Sequence, residues 1–133
     1  VDTPEVFALE QLIVSFDSHS TPNATVRLKT PQGIVETKSE GNGSIDAVYR
    51  AIDALTKEEV VLDDYTIKSV TDGTDALGDV HVVLKQGDES AQGRGVSTDI
   101  IEASARAYVD ALNRLIDKKN APRRNRRDNV TLI

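Results

Sequence analysis

The chain contains no cysteine, no methionine and no tryptophan. Its 133 residues carry only five aromatic rings: Phe7, Phe16, Tyr49, Tyr65 and Tyr108. Without cysteine there are no disulfides, no thiolate metal sites and no cysteine nucleophile. A cysteine-free chain is also what a reducing compartment permits, and a cytoplasmic location is expected. The core must be built from Val, Ile, Leu and Ala. No apolar run approaches the ~20 residues of a membrane span. The start, Val1-Asp2-Thr3-Pro4-Glu5, is acidic and lacks the apolar stretch of a signal peptide. Positive charge is in the minority, with 22 acidic residues against 16 Lys plus Arg and a net charge of −6. That argues against a general nucleic-acid binder or a binder of anionic membranes. The absent initiator Met points to a piece of a longer chain. The length predicts one domain, or two small halves of one, burying about 65% of the surface its unfolded chain exposes.

What is present is organised as a repeat. Residues 1–6 read as a linker end. Leu9 to Phe16 is a strand candidate, and Ser18 to Asn23 reads as a turn. Ala24 to Lys29 alternates, with Val26 and Leu28 on one face and Arg27 and Lys29 on the other. Pro31-Gln32-Gly33 signals a hairpin, and Ile34 to Lys38 is its return arm. After Gly41-Asn42-Gly43, Ile45, Val48, Ile52 and Leu55 form one helical apolar stripe, with Ser44 a candidate N-cap. The second half follows the same plan. Val60 to Val70 and Val80 to Leu84 read as strands, with turns at 72–75 and 86–89. A short strand to Gln92 is followed by Gly93-Arg94-Gly95 and then a long helix. Ile101, Ala105, Tyr108, Leu112 and Leu115 line its apolar face, and Glu102, Arg106, Asp110 and Arg114 alternate in sign four apart. Both helices contain Asp-Ala-Leu, at 53–55 and 110–112.

These elements predict an α+β fold of two βββα units related by a pseudo-twofold axis. One helix cannot cover a three-stranded sheet, so packing between halves or between chains is needed, and a homodimer is expected. The expected boundaries are 7–57 for the first unit and 58–116 for the second, together a domain over 7–116. Residues 117–133 hold Lys118, Lys119, Arg123, Arg124, Arg126 and Arg127 around Pro122. They read as a disordered solvated tail or as a phosphate-binding one, and no interleaved aromatic supports nucleic-acid stacking.

Few residues suggest chemistry. His19 and His81 are the only histidines and lie in different halves. His81 sits inside a strand without partner ligands at metal-site spacing, as a sheet-face histidine would. No serine has nucleophile-elbow context and no carboxylates pair for acid–base work. The two Gly-x-Gly segments are more suggestive. Glycine lets backbone N–H groups approach a ligand, and a helix start offers unpaired donors and a positive dipole end. An acid follows in each first turn, Asp46 and Asp99. Two readings fit. One is a cradle for the carboxylate and ammonium of a free amino acid. The other is tight turns with Asp46, Thr98 and Asp99 as ordinary capping residues. The dinucleotide fingerprint is excluded, because its third glycine and βαβ context are missing.

Three segments carry a resemblance: Glu40-Gly41-Asn42-Gly43-Ser44-Ile45-Asp46-Ala47-Val48-Tyr49-Arg50-Ala51-Ile52, the Asp72-to-Val80 stretch and the Gly93-to-Ala105 stretch, continued by Ala107 to Arg114. Over residues 7–116 the chain resembles the C-terminal regulatory domain of 2-isopropylmalate synthase, with the citramalate synthase regulatory domain as its closest competitor. The resemblance implies a dimerising domain that binds the end product leucine for feedback inhibition. The catalytic domain of the full enzyme, an N-terminal TIM barrel using a divalent metal and acetyl-CoA, has no counterpart here, so no cofactor and no catalytic residue are expected. Carried onto this sequence, the family's effector site implies Gly41, Asn42, Gly43, Ile45 and Asp46, Tyr65 and Ser69, Ala76, and Ser97, Thr98 and Asp99. The family often has Pro where this chain has Ser44. The expected partners are leucine, a second copy and the catalytic domain, with no nucleic acid and no membrane. The alternatives are an isoleucine-binding domain of the citramalate synthase type and a purely structural dimerisation domain.

Overall fold

Eight elements follow one another in the computed structural model: β1 (Ala8–Asp17), β2 (Ser20–Thr30), β3 (Gly33–Glu40), α1 (Ser44–Thr56), β4 (Val61–Asp72), β5 (Asp75–Gln86), β6 (Glu89–Ser97) and α2 (Ile100–Leu132). The backbone is described for residues 4–72 and 75–132, and side chains for those residues outside 70–75 and 121–132. Two antiparallel sheets result, ordered β1-β2-β3 and β4-β5-β6, each followed by its helix. The chain is therefore α+β and built as two βββα units.

Alternation decides which face each sheet buries. Ala24, Val26 and Leu28 of β2 and Val80, Val82 and Leu84 of β5 are fully buried. Their neighbours Arg27, Lys29, His81 and Lys85 point the other way. α1 presents Ala47, Val48, Ala51 and Ile52 to the first sheet, and α2 presents its alanine-rich face to the second. The helices also touch each other, so one core runs through both units. Tyr49 and Tyr108 stack between them with centroids 4.1 Å apart. Tyr49 donates to the Ser104 carbonyl at 2.9 Å, and Tyr108 donates to Asp53 Oδ1 at 2.6 Å. Burial pushes both tyrosine hydroxyls well above their ordinary range, so they remain donors.

Three local expectations change. The loop expected over Ser18 to Asn23 shrinks to two residues, because the Asp17 carboxylate accepts from His19 N–H and Ser20 O–H, both at 2.7 Å. Pro22 thereby enters β2, where a register irregularity between Ser15 and Asp17 spares its missing N–H. Ser44 is not the N-cap of α1: that position is Gly43, and Ser44 is the first helical residue. Most consequentially, Gly93-Arg94-Gly95 is no helix-opening loop. It lies inside β6, opposite Val82 and Val80. A Cβ on Gly93 would strike the Ala107 carbonyl and the Ala111 amide, and one on Gly95 the Ala103 carbonyl. Those glycines let α2 lie directly on the sheet, with the alanines spaced four apart as the matching surface. Past residue 116, Lys118 donates to the Ser90 carbonyl at 2.6 Å and Lys119 reaches Glu58 at 3.2 Å.

A candidate effector site at the open helix start

The loop before α1 divides its two glycines between different tasks. Gly41 is buried and its N–H donates to the Pro22 carbonyl at 3.1 Å. A Cβ there would collide with the Ala47 amide, so the fold itself requires glycine. Gly43 is extended, with φ −162° and ψ 174°, a conformation open to any residue. Nothing lies within 4 Å of where its Cβ would be. Neither strain nor crowding explains glycine at position 43; it leaves backbone open to approach. Among the described residues, no side-chain hydrogen bond caps the first amides of α1. Asp46 bends backwards instead, accepting from Asn42 N–H at 2.9 Å and pairing with Arg50 at 2.9 Å. Asp46 thus places a carboxylate in the first turn, but among the described residues no side chain bonds the amides that open α1.

The start of α2 is the opposite case. Asp99 Oδ1 accepts from Ile101 N–H at 2.8 Å and Glu102 N–H at 3.2 Å. Ser97 Oγ accepts from Asp99 N–H at 3.1 Å and donates to Glu102 Oε2 at 3.0 Å. That is a closed capping arrangement. The picture of two glycine-opened starts holding one ligand does not survive: one start is open and the other is capped by its own chain.

Both starts nonetheless meet in one cleft of about 610 Å³. Its apolar wall is Leu9, Leu12, Val14 and Phe16 of β1 with Ile101 of α2; its polar rim includes Ser44, Asp99, Glu102 and Arg106. The β1 residues share the face of the buried β2 row, since Leu9, Leu12 and Val14 pair with Leu28, Val26 and Ala24. The structure thus brings the glycine loop's neighbour Ser44 to Asp99. Of the effector residues the resemblance implies, Asp99 lines this cleft; Gly41, Asn42, Gly43, Ile45, Asp46, Ser97 and Thr98 sit at or beside the two helix starts without lining it, and Tyr65, Ser69 and Ala76 lie on the second sheet outside it. Ser69 and Ala76 are exposed on the second sheet, and Tyr65 reaches Ser104 Oγ at 2.6 Å. Sequence reading passed over the β1 row, Glu102 and Arg106. The alternation of Leu12, Val14 and Phe16 was the available signal, but nothing local says that α2 will stand over that strand.

Elsewhere, His81 pairs with Asp79 at 3.0 Å on the sheet face away from α2. Among the described residues, no three His, Cys, Asp or Glu side chains gather as a metal site would require, and no helix is long and apolar enough to cross a membrane.

The family model of the LeuA allosteric (dimerisation) domain matches residues 1–116. The chain belongs to this family. Curated relatives named 2-isopropylmalate synthase agree. The chain is 51% identical over 120 residues to one from Brevibacillus brevis, covering 90% of this chain and 23% of that protein. It is 47% identical over 113 residues to one from Crocosphaera subtropica, covering 84% and 21%, and 48% identical over 110 residues to one from Bacillus cereus, covering 82% and 22%. This LeuA domain therefore spans less than a quarter of the relatives' length. The two Gly-x-Gly segments recur in one repeated plan but serve a loop in one unit and a helix–sheet contact in the other.

Proposed function

We propose that this LeuA domain is the regulatory part of a 2-isopropylmalate synthase, binding the end product leucine for feedback inhibition and pairing with a second copy. The observation that supports it best is the uncapped start of α1 behind a glycine the fold does not need, beside a cleft with an apolar wall. A leucine carboxylate suits the α1 amides after Gly43. Its ammonium suits the acids on the opposite rim, Asp99 and Glu102. Its side chain would displace water from Leu12, Val14 and Ile101, at about 0.8 kcal/mol per buried CH₂. Tyr65, Ser69 and Ala76, on β4 and β5, join the site in this proposal through a second copy of the chain.

Calorimetry of the chain with leucine, isoleucine and valine tests this. Leucine is expected to bind best, with ~1–3 kcal/mol over isoleucine and valine as apolar pockets discriminate. Gly43→Val should abolish the heat while leaving the far-ultraviolet spectrum intact. Absence of heat with all three amino acids overturns the effector reading and leaves the structural dimerisation domain. Preference for isoleucine would favour the citramalate synthase type.

A further inference from the structure

Asn113 is a buried polar side chain, 6% exposed, on the inner face of α2. Asparagine is a poor helix former, and helix packing alone would be served by alanine or leucine. Three hydrogen bonds from its side chain go to the segment just before β1. Oδ1 accepts from Val6 N–H at 3.0 Å and Phe7 N–H at 2.9 Å, and Nδ2 donates to the Phe7 carbonyl at 2.9 Å. These bonds act before β1 begins at Ala8 and join points 106 and 107 residues apart in sequence. The Phe7 ring, 8% exposed, sits in the core beside them.

The same helix forms one wall of the candidate effector cleft through Ile101, Glu102 and Arg106, with Asp99 just before it. The clamp lies about two turns further along, roughly 10 Å beyond Arg106 at 1.5 Å per residue. Leu9 and Arg106 line the cleft and also a small cavity of about 120 Å³ bordered by Asn113, Phe7 and Glu5. Cleft and clamp thus share α2, with no loop between Arg106 and Asn113.

We infer that Asn113 is the positioning residue that transmits effector occupancy from α2 to the chain entering at Val6–Phe7. The inference rests on the effector reading above. It assigns Asn113 no contact with the ligand, and so separates binding from its consequence.

Amide hydrogen exchange at Val6 and Phe7, followed by mass spectrometry or NMR with and without saturating leucine, is the test. In the parent chain leucine is expected to change exchange at these two amides about fivefold or more. In Asn113→Ala exchange there should be fast and indifferent to leucine, while calorimetric leucine affinity stays within about twofold of the parent. In the full-length protein the variant should lose most of the inhibition that saturating leucine gives the parent, at unchanged basal activity. Asn113→Asp, which keeps the acceptor and loses the donor to Phe7, replaces the alanine variant if that fails to fold; an intermediate response is expected. A parent chain that binds leucine without change at Val6 and Phe7 overturns the inference alone. So does a variant that still responds like the parent. A parent that does not bind leucine overturns the effector reading as well.

Discussion

Asp79 faces the side of the second sheet that carries no helix, yet it is only 5% exposed. Arg94 grips it twice, Nε to Oδ1 at 2.8 Å and Nη2 to Oδ2 at 3.0 Å, and His81 Nε2 approaches Oδ1 at 3.0 Å. The Arg94 hydrogen bonds, with a smaller share from His81, hold its carboxyl below the ordinary aspartate value of 3.8. The folded chain therefore keeps this group ionised at pH values where the unfolded chain is taking up its proton. The stability it contributes is complete above about the ordinary aspartate range and drains away as pH falls through the lowered value. Urea denaturation across pH 2–6 should show the parent losing stability on acidification and Asp79→Asn losing less. Identical slopes would mean the pair contributes nothing pH-dependent. Asp53 has the opposite sign, raised by burial against the pull of its bond from Tyr108. At this scale the sequence placed His81 inside a strand, and it lies within β5. It could not show that Arg94, between two glycines, would find Asp79. That pair exists only because β5 and β6 set Asp79 opposite Val96 and His81 opposite Arg94.

The glycines separate the elements that merely repeat from those that differ. Gly93→Ala forces a Cβ onto the α2 backbone, and should cost about 3 kcal/mol, the upper range for overpacking. Gly43→Ala meets open space and loses only a modest N-cap preference, so it should cost less than about 1 kcal/mol. Chemical denaturation of the two variants ranks them. If the ranking is reversed, Gly43 rather than Gly93 is the structural position. The helical stripes were legible because a 3.6-residue period is a local property: Val48 and Ile52 of α1, and Ala105, Tyr108, Leu112 and Leu115 of α2, are all buried. The role of Gly93-Arg94-Gly95 was not. Glycine before a helix and glycine beneath a helix have the same letters, and only the placement of α2 on β6 distinguishes them.

At the scale of the molecule, the two units share one core but their first strands are covered unequally. α2 stands near β1, whereas β4 runs along β5 and packs along no other element among the described residues. Tyr65 to Ser104 is its described side-chain hydrogen bond to the helical layer. Phe16 at 71% exposure and Ile67 at 48% prolong the buried rows of the two sheets beyond the helices. These overhanging rows suit a second copy, in keeping with a dimerisation-domain family. Phe16→Glu should weaken self-association about tenfold or more in sedimentation, with the monomer still folded. An unchanged dimer would place the interface elsewhere. Hydrophobic periodicity and turn chemistry act over a few residues, so the two βββα units and their apolar faces could be read along the chain. Which helix start stays open, that Asp99 seals the other, and that Asn113 ties Val6 and Phe7 to α2 follow from the folded arrangement. Those outcomes depend on contacts between residues far apart in the chain, and no local pattern encodes the distance between them.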